Sequence, residues 1–145
     1  MIFEYAVAAG GAFDAVRARR LGAAFNLPLR AGYVQVSPAS LSGSFFSVDQ
    51  PNVEITTVKP ITENVIRGEV TSAPLNPQVN KIFIVRLQEF AGRGGSVRVN
   101  VPATVRSAAK MSITEDRVVQ NVNNVSPLTV NVRPYETVTL KIEIE

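Results

Sequence analysis

The closing segment, Thr137-Val-Thr-Leu-Lys-Ile-Glu-Ile-Glu145, alternates without a fault. Val138, Leu140, Ile142 and Ile144 fall on one side, and Thr137, Thr139, Lys141, Glu143 and Glu145 on the other. Successive side chains of a strand project to opposite faces, so this pattern belongs to an antiparallel strand with one face on a core and one in water. The same period recurs at Val34 and Val36, at Val53 and Ile55, and at Val97, Val99 and Val101 against Arg98 and Asn100. Breakers separate these runs: Ser37-Pro38, Gln50-Pro51-Asn52, Gly92 to Gly95, Ser126-Pro127 and Arg133-Pro134. Short alternating strands with regular turn signals predict an all-β fold, an antiparallel β-sandwich or a barrel.

The N-terminal part is written differently. Residues 2–8 have the composition of a strand closed by Gly10-Gly11, and residues 13–25 place Phe13, Val16, Leu21 and Phe25 at helical spacing. Asp14 stands where a negative charge suits a helix start, and Pro28 bounds the end. One short N-terminal helix is therefore expected. The predicted layout is a strand–helix extension over 1–40, packing on a sandwich over 41–145. Within the sandwich, residues 60–80 are crowded with Pro and Asn around one short strand, Val65 to Val70, and predict a protruding loop.

At 46% hydrophobic residues the chain can bury a core and is too apolar to be disordered. No window approaches the roughly 18 apolar residues of a membrane span. Glu4 interrupts the first apolar stretch with no basic region before it, unlike a signal peptide. With no cysteine, disulfides, thiolate catalysis and zinc–sulfur sites are excluded, and a cytoplasmic location is expected. The net charge is only +3 and the arginines are dispersed. Arg17, Arg19 and Arg20 form the one tight cluster, without interleaved aromatics, and fit a solvated helix face better than a nucleic-acid site. Neither nucleic acid nor membrane is expected as a partner.

The chain has no histidine, so it can build neither a Ser-His-Asp triad nor an imidazole metal site. Paired carboxylates could still serve glycoside hydrolysis. The candidates are Glu69, Glu89, Glu115, Asp116 and Glu136, but no spacing singles out a pair, and adjacent Glu115 and Asp116 fit an exposed turn. Gly92-Arg93-Gly94-Gly95 lacks a phosphate-loop frame and no helix pattern follows it, so it predicts a hairpin turn that uses glycine at positive φ. Asn124-Val-Ser126 matches a glycosylation sequon, with Pro127 directly after it disfavouring use.

Arg86 stands inside the apolar run Lys81 to Glu89, which has the character of a strand buried on both faces. A charge there is costly unless paired. Glu89 is one candidate partner, yet residues i and i+3 face opposite sides of a flat strand. Either a bulge joins them or each has a partner elsewhere. The functional alternative is an arginine projecting toward the substrate cleft of a neighbouring domain.

Three segments carry a family resemblance. They are Phe45 to Pro60 (FFSVDQPNVEITTVKP), Phe83 to Pro102 (FIVRLQEFAGRGGSVRVNVP), and MSITED followed by LTVNVRPYETVTLKIEIE. With the opening FEYAVAAGGAF…AFNLPL, they resemble the C-terminal part of the α-mannosidases of glycoside hydrolase family 38. Arg86 and Glu89 match that family's "RhxE" motif. Ala-Ala-Gly stands where the family often has Pro-His, and the connection over 61–80 is longer. The resemblance implies the β-sandwich module of a much larger enzyme that hydrolyses terminal α-mannosides. It further implies that the divalent metal, usually zinc, its ligands and the nucleophile lie in an N-terminal catalytic domain absent from this chain. No catalytic residue, metal site or cofactor is assigned here; Arg86 and Glu89 are expected to scaffold a sheet or domain junction or to face substrate. The expected partners are that catalytic domain and, through it, mannosides. The alternatives are a free-standing carbohydrate-binding sandwich, disfavoured by the lack of Trp and the presence of only Tyr5, Tyr33 and Tyr135, and an assembly module that forms a homo-oligomer.

Overall fold

The computed structural model describes residues 5, 7–27, 32, 43–61 and 81–145. The chain divides into two compact units, Met1–Gly43 and Ser44–Glu145.

In the first unit, helix α1 spans Ala15–Asn26. Asp14 is its N-cap: the carboxylate accepts the free amides of Val16 at 2.8 Å and Arg17 at 3.2 Å, which starts the helix two residues later than the apolar spacing predicts. At the other end Leu27 N–H donates to the Ala23 carbonyl, and Asn26 Nδ2 donates to that of Gly22. No α1 side chain is buried; Leu21 and Phe25 are both exposed. Of the strand predicted over 2–8, the described residues 5, 7 and 8 are irregular, and Tyr5 and Val7 lie in solvent, so no alternate face is buried there. The rest of that segment, the Val34/Val36 strand, and residues 62–80 with their predicted loop and strand lie outside the described residues. No helix among the described residues is long and apolar enough to cross a membrane.

The second unit is an antiparallel β-sandwich. Its strands are β1 (Ser47–Val48), β2 (Val53–Pro60), β3 (Ile82–Glu89), β4 (Gly95–Asn100), β5 (Val105–Met111), β6 (Val118–Asn121), β7 (Thr129–Val132) and β8 (Thr137–Ile144). A three-stranded sheet, β1-β4-β7, faces a five-stranded sheet, β2-β3-β8-β5-β6. Alternation decides what each strand buries. Val97, Val99, Val130 and Val132 come from the small sheet, and Val53, Val85, Leu87, Val138, Leu140 and Ile142 from the large one, joined by Leu128 and Ala108. These side chains form the core between the sheets, whose burial is the dominant stabilising term.

Two features depart from simple alternation. A bulge at Thr56 resets the β2–β3 register, so Ile55 opposes Leu87 while Thr57 opposes Arg86. The outer face of the large sheet is also partly dry. Ile84 and Thr139 are buried there, although neither belongs to the core cluster.

Candidate functional site

Strand β3 carries both singled-out charges, one on each face. Glu89 follows Val85 and Leu87 in phase, which puts it at the core-side end of the strand, opposite Val53 of β2. It is 1% exposed. Arg86 lies on the outer face, opposite Thr57 of β2 and Thr139 of β8. The two do not pair.

The Glu89 carboxylate is met entirely by neutral donors. Oε1 accepts from Asn52 Nδ2 at 2.9 Å, from the Ala91 amide at 2.8 Å and from the Arg93 amide at 3.1 Å. Oε2 accepts from the amides of Gly92 at 2.9 Å and Tyr135 at 2.7 Å. Asn52 uses its second amide hydrogen on the Arg93 carbonyl at 2.8 Å. One side chain thus ties together the approach to β2, the β3–β4 turn and the β7–β8 turn. Burial alone would raise the pKa of Glu89, but the hydrogen bonds, led by Asn52 and Tyr135, outweigh it and hold the pKa at about 2. Gly92 has φ +73°, the positive φ expected of a glycine in this turn, but the turn is not the predicted hairpin: it carries the chain from β3 of the large sheet to β4 of the small one, and the two strands do not pair. Tyr135 has φ +59°, a left-handed conformation that a tyrosine rarely adopts. Its amide is aimed at Glu89 while its side chain is largely exposed.

Arg86 is received by the β5–β6 turn. Its Nη2 donates to Glu115 Oε1 at 2.8 Å and to the Ile113 carbonyl at 3.1 Å, while Nε donates to Thr139 Oγ1 at 3.3 Å. The other Glu115 oxygen holds Lys59 Nζ at 2.6 Å. Glu115 is the second non-glycine residue at positive φ, at 64°. The Arg86 and Glu115 side chains are 28% and 19% exposed, whereas Lys59 is 51% exposed. Screening therefore leaves the Arg86–Glu115 contact coupled by about 1 kcal/mol and the Lys59–Glu115 contact by only ~0.3 kcal/mol. Double-mutant cycles to alanine, read from urea midpoints, should return that order; equal or reversed couplings would contradict it.

Among the described residues, the remaining candidate carboxylates are each taken up by local partners. Glu69 lies outside the described residues. Asp116 accepts the hydroxyls of Ser112 and Thr114, and the Ser112 bond leads in lowering its pKa. Glu136 accepts the Arg133 amide at 2.7 Å and its guanidinium at 3.1 Å; these bonds outweigh burial and lower its pKa. Among the described residues no group of three His, Cys, Asp or Glu side chains could hold a metal ion.

Sequence reasoning missed Asn52 and Tyr135 as partners of Glu89, and Glu115 as the receiver of Arg86. Pro51-Asn52 and Pro134-Tyr135 do carry a turn signal, but nothing local says that the two turns meet at one carboxylate.

The model of one protein family, described as the glycosyl hydrolases family 38 C-terminal beta sandwich domain, matches residues 52–140. That span starts at Asn52 and holds every partner of Glu89 and of Arg86 named above. No curated protein and no solved structure gave a match.

Proposed function

We propose, because this chain belongs to the family of glycosyl hydrolases family 38 C-terminal β-sandwich domains, that it closes and supports the catalytic part of an α-mannosidase-like enzyme. The parent hydrolyses terminal α-mannosides at a divalent metal, zinc being the expected ion. Its ligands and nucleophile belong to an N-terminal domain outside this chain. The observation that carries the proposal is the family match over the sandwich. A sequence without histidine supports placing the imidazole-ligated metal elsewhere in the enzyme. Arg86 and Glu89 act as scaffold in this scheme, fixing turns on the two faces of β3. The cysteine-free composition supports a reducing compartment, the cytoplasm.

The test is the mass of the endogenous polypeptide, read by immunoblot with an antibody against this chain. A band several times larger is expected, with metal-dependent hydrolysis of an α-mannoside by that larger protein. A band at 15.7 kDa would overturn the domain assignment, and a large protein inert toward α-mannosides would overturn the substrate.

A further inference from the structure

The outer face of the large sheet carries a cleft that the scaffolding role does not use. Its volume is about 660 Å³, within the size range of small-molecule sites, and it lies between the end of β2, the β5–β6 turn and β8. Lys59, Arg117 and Lys141 line it, with Glu115 and Asp116 beside them and Met111 and Val118 as an apolar wall.

The charges in this cleft do not balance. Glu115 is divided between Arg86 and Lys59. Asp116 is occupied by the hydroxyls of Ser112 and Thr114, and Arg117 acts on it only through space. Lys141 is left over. Among the described residues its ammonium makes no hydrogen bond or ion pair, and its cross-strand neighbours are Ile84 and Ala109, which offer no side-chain acceptor. It is only partly exposed. A partly exposed lysine with no ion-pair partner among the described residues, lining a cavity with a second cation, can receive an anion. The left-handed backbone at Glu115 strengthens the case. Strained conformations of this kind cost stability and gather at ligand sites, and the Glu115 carboxylate is committed to Arg86 and Lys59, not to Lys141.

We propose that this cleft binds a small oxyanion, a phosphate or carboxylate group borne on a compact body, with Lys141 as its main anchor and Arg117 as its second. The apolar wall of Met111 and Val118 takes the body of the ligand. This goes beyond the proposed support of a catalytic domain and stands or falls separately from it.

The experiment is calorimetric titration of the full chain with inorganic phosphate and with succinate, using chloride at matched ionic strength as the reference. Saturable binding near the millimolar range is expected for at least one probe, the order of one unlinked ionic contact pair. Lys141→Met should weaken it about tenfold and Arg117→Gln several-fold, as expected for charge-assisted hydrogen bonds. Lys81→Met removes the same charge from an exposed position outside the cleft and should leave binding unchanged. Preference for phosphate marks a phosphorylated ligand, and preference for succinate a carboxylate. Two results would overturn the proposal: no saturation with either probe, or equal weakening by Lys141→Met and Lys81→Met. Arg117 lies in an exposed turn, so its variant tests the site even where Lys141→Met perturbs the sheet.

Discussion

Glu89→Ala should cost the sandwich about 4 kcal/mol, a large share of the ~5–15 kcal/mol that holds a domain of this size together. The substitution leaves four backbone amides and Asn52 Nδ2 without their acceptor, and three turns lose their common tie at once. The melting temperature should fall by upward of about 15 °C. Glu89→Gln keeps the shape and one acceptor oxygen but turns an NH2 group toward donors, so about half that loss is expected. Titration gives an independent check. The folded pKa of about 2 lies below the ordinary 4.5, so the unfolded chain takes up the proton first as pH falls. The stabilisation is complete above about pH 4.5 and is lost as pH falls through about 2. The stability gap between the parent and Glu89→Gln should therefore narrow steadily from about pH 5 to pH 2. A gap that stays constant over that range would mean that Glu89 is not the buried carboxylate described.

The parts legible in the sequence are those that local periodicity encodes. Strand β4 buries Val97 and Val99 as its alternation marks, and β8 buries Val138, Leu140 and Ile142, although Ile144 is only partly buried and Thr139, on the side alternation gives to water, is buried as well. Helix α1 was announced by Asp14 and bounded before Pro28. Strands β5 and β6 were not legible. Arg-Ser-Ala-Ala-Lys has little strand propensity, and β5 forms because β8 on one side and β6 on the other supply its ladders, with Ala108 its one buried residue. Strand β6 buries no residue, so no alternating burial is imposed on its sequence. The need for Arg86 to have a receiver could be deduced, but not its identity. Glu115 is 29 residues away, in a turn whose left-handed backbone no local rule requires. Glu89 shows the sharper limit. A buried carboxylate suggests a cation, whereas backbone amides are present in every sequence and leave no trace there. Only the fold reveals that four of them converge.

The glycines of the β3–β4 turn should separate by what surrounds them. At Gly94 an added Cβ would stand 2.7 Å from Pro134 Cδ, 2.9 Å from the Val132 carbonyl oxygen and 3.0 Å from Pro134 N. Two of these three atoms are backbone and the third is a fixed ring carbon, so nothing nearby can rotate away. Val132 pairs with Gly95, and relief of the clash must pull β4 from β7 at the start of their ladder. Gly94→Ala should therefore cost about 3 kcal/mol, at the upper end of overpacking penalties. At Gly92 the closest approach is shorter, 2.6 Å, but it is made by the Tyr135 hydroxyl, the far end of a side chain that is 72% exposed and free to swing outward. What remains at Gly92 is the positive φ of 73°, which costs alanine about 1 kcal/mol. Clash distance alone ranks Gly92→Ala as the worse substitution; the stiffness of the neighbours ranks Gly94→Ala worse. Urea midpoints at unchanged m decide between the two orders. Gly94→Ala melting at or above Gly92→Ala would show that the β7–β8 turn yields, and that Glu89 does not hold it rigid.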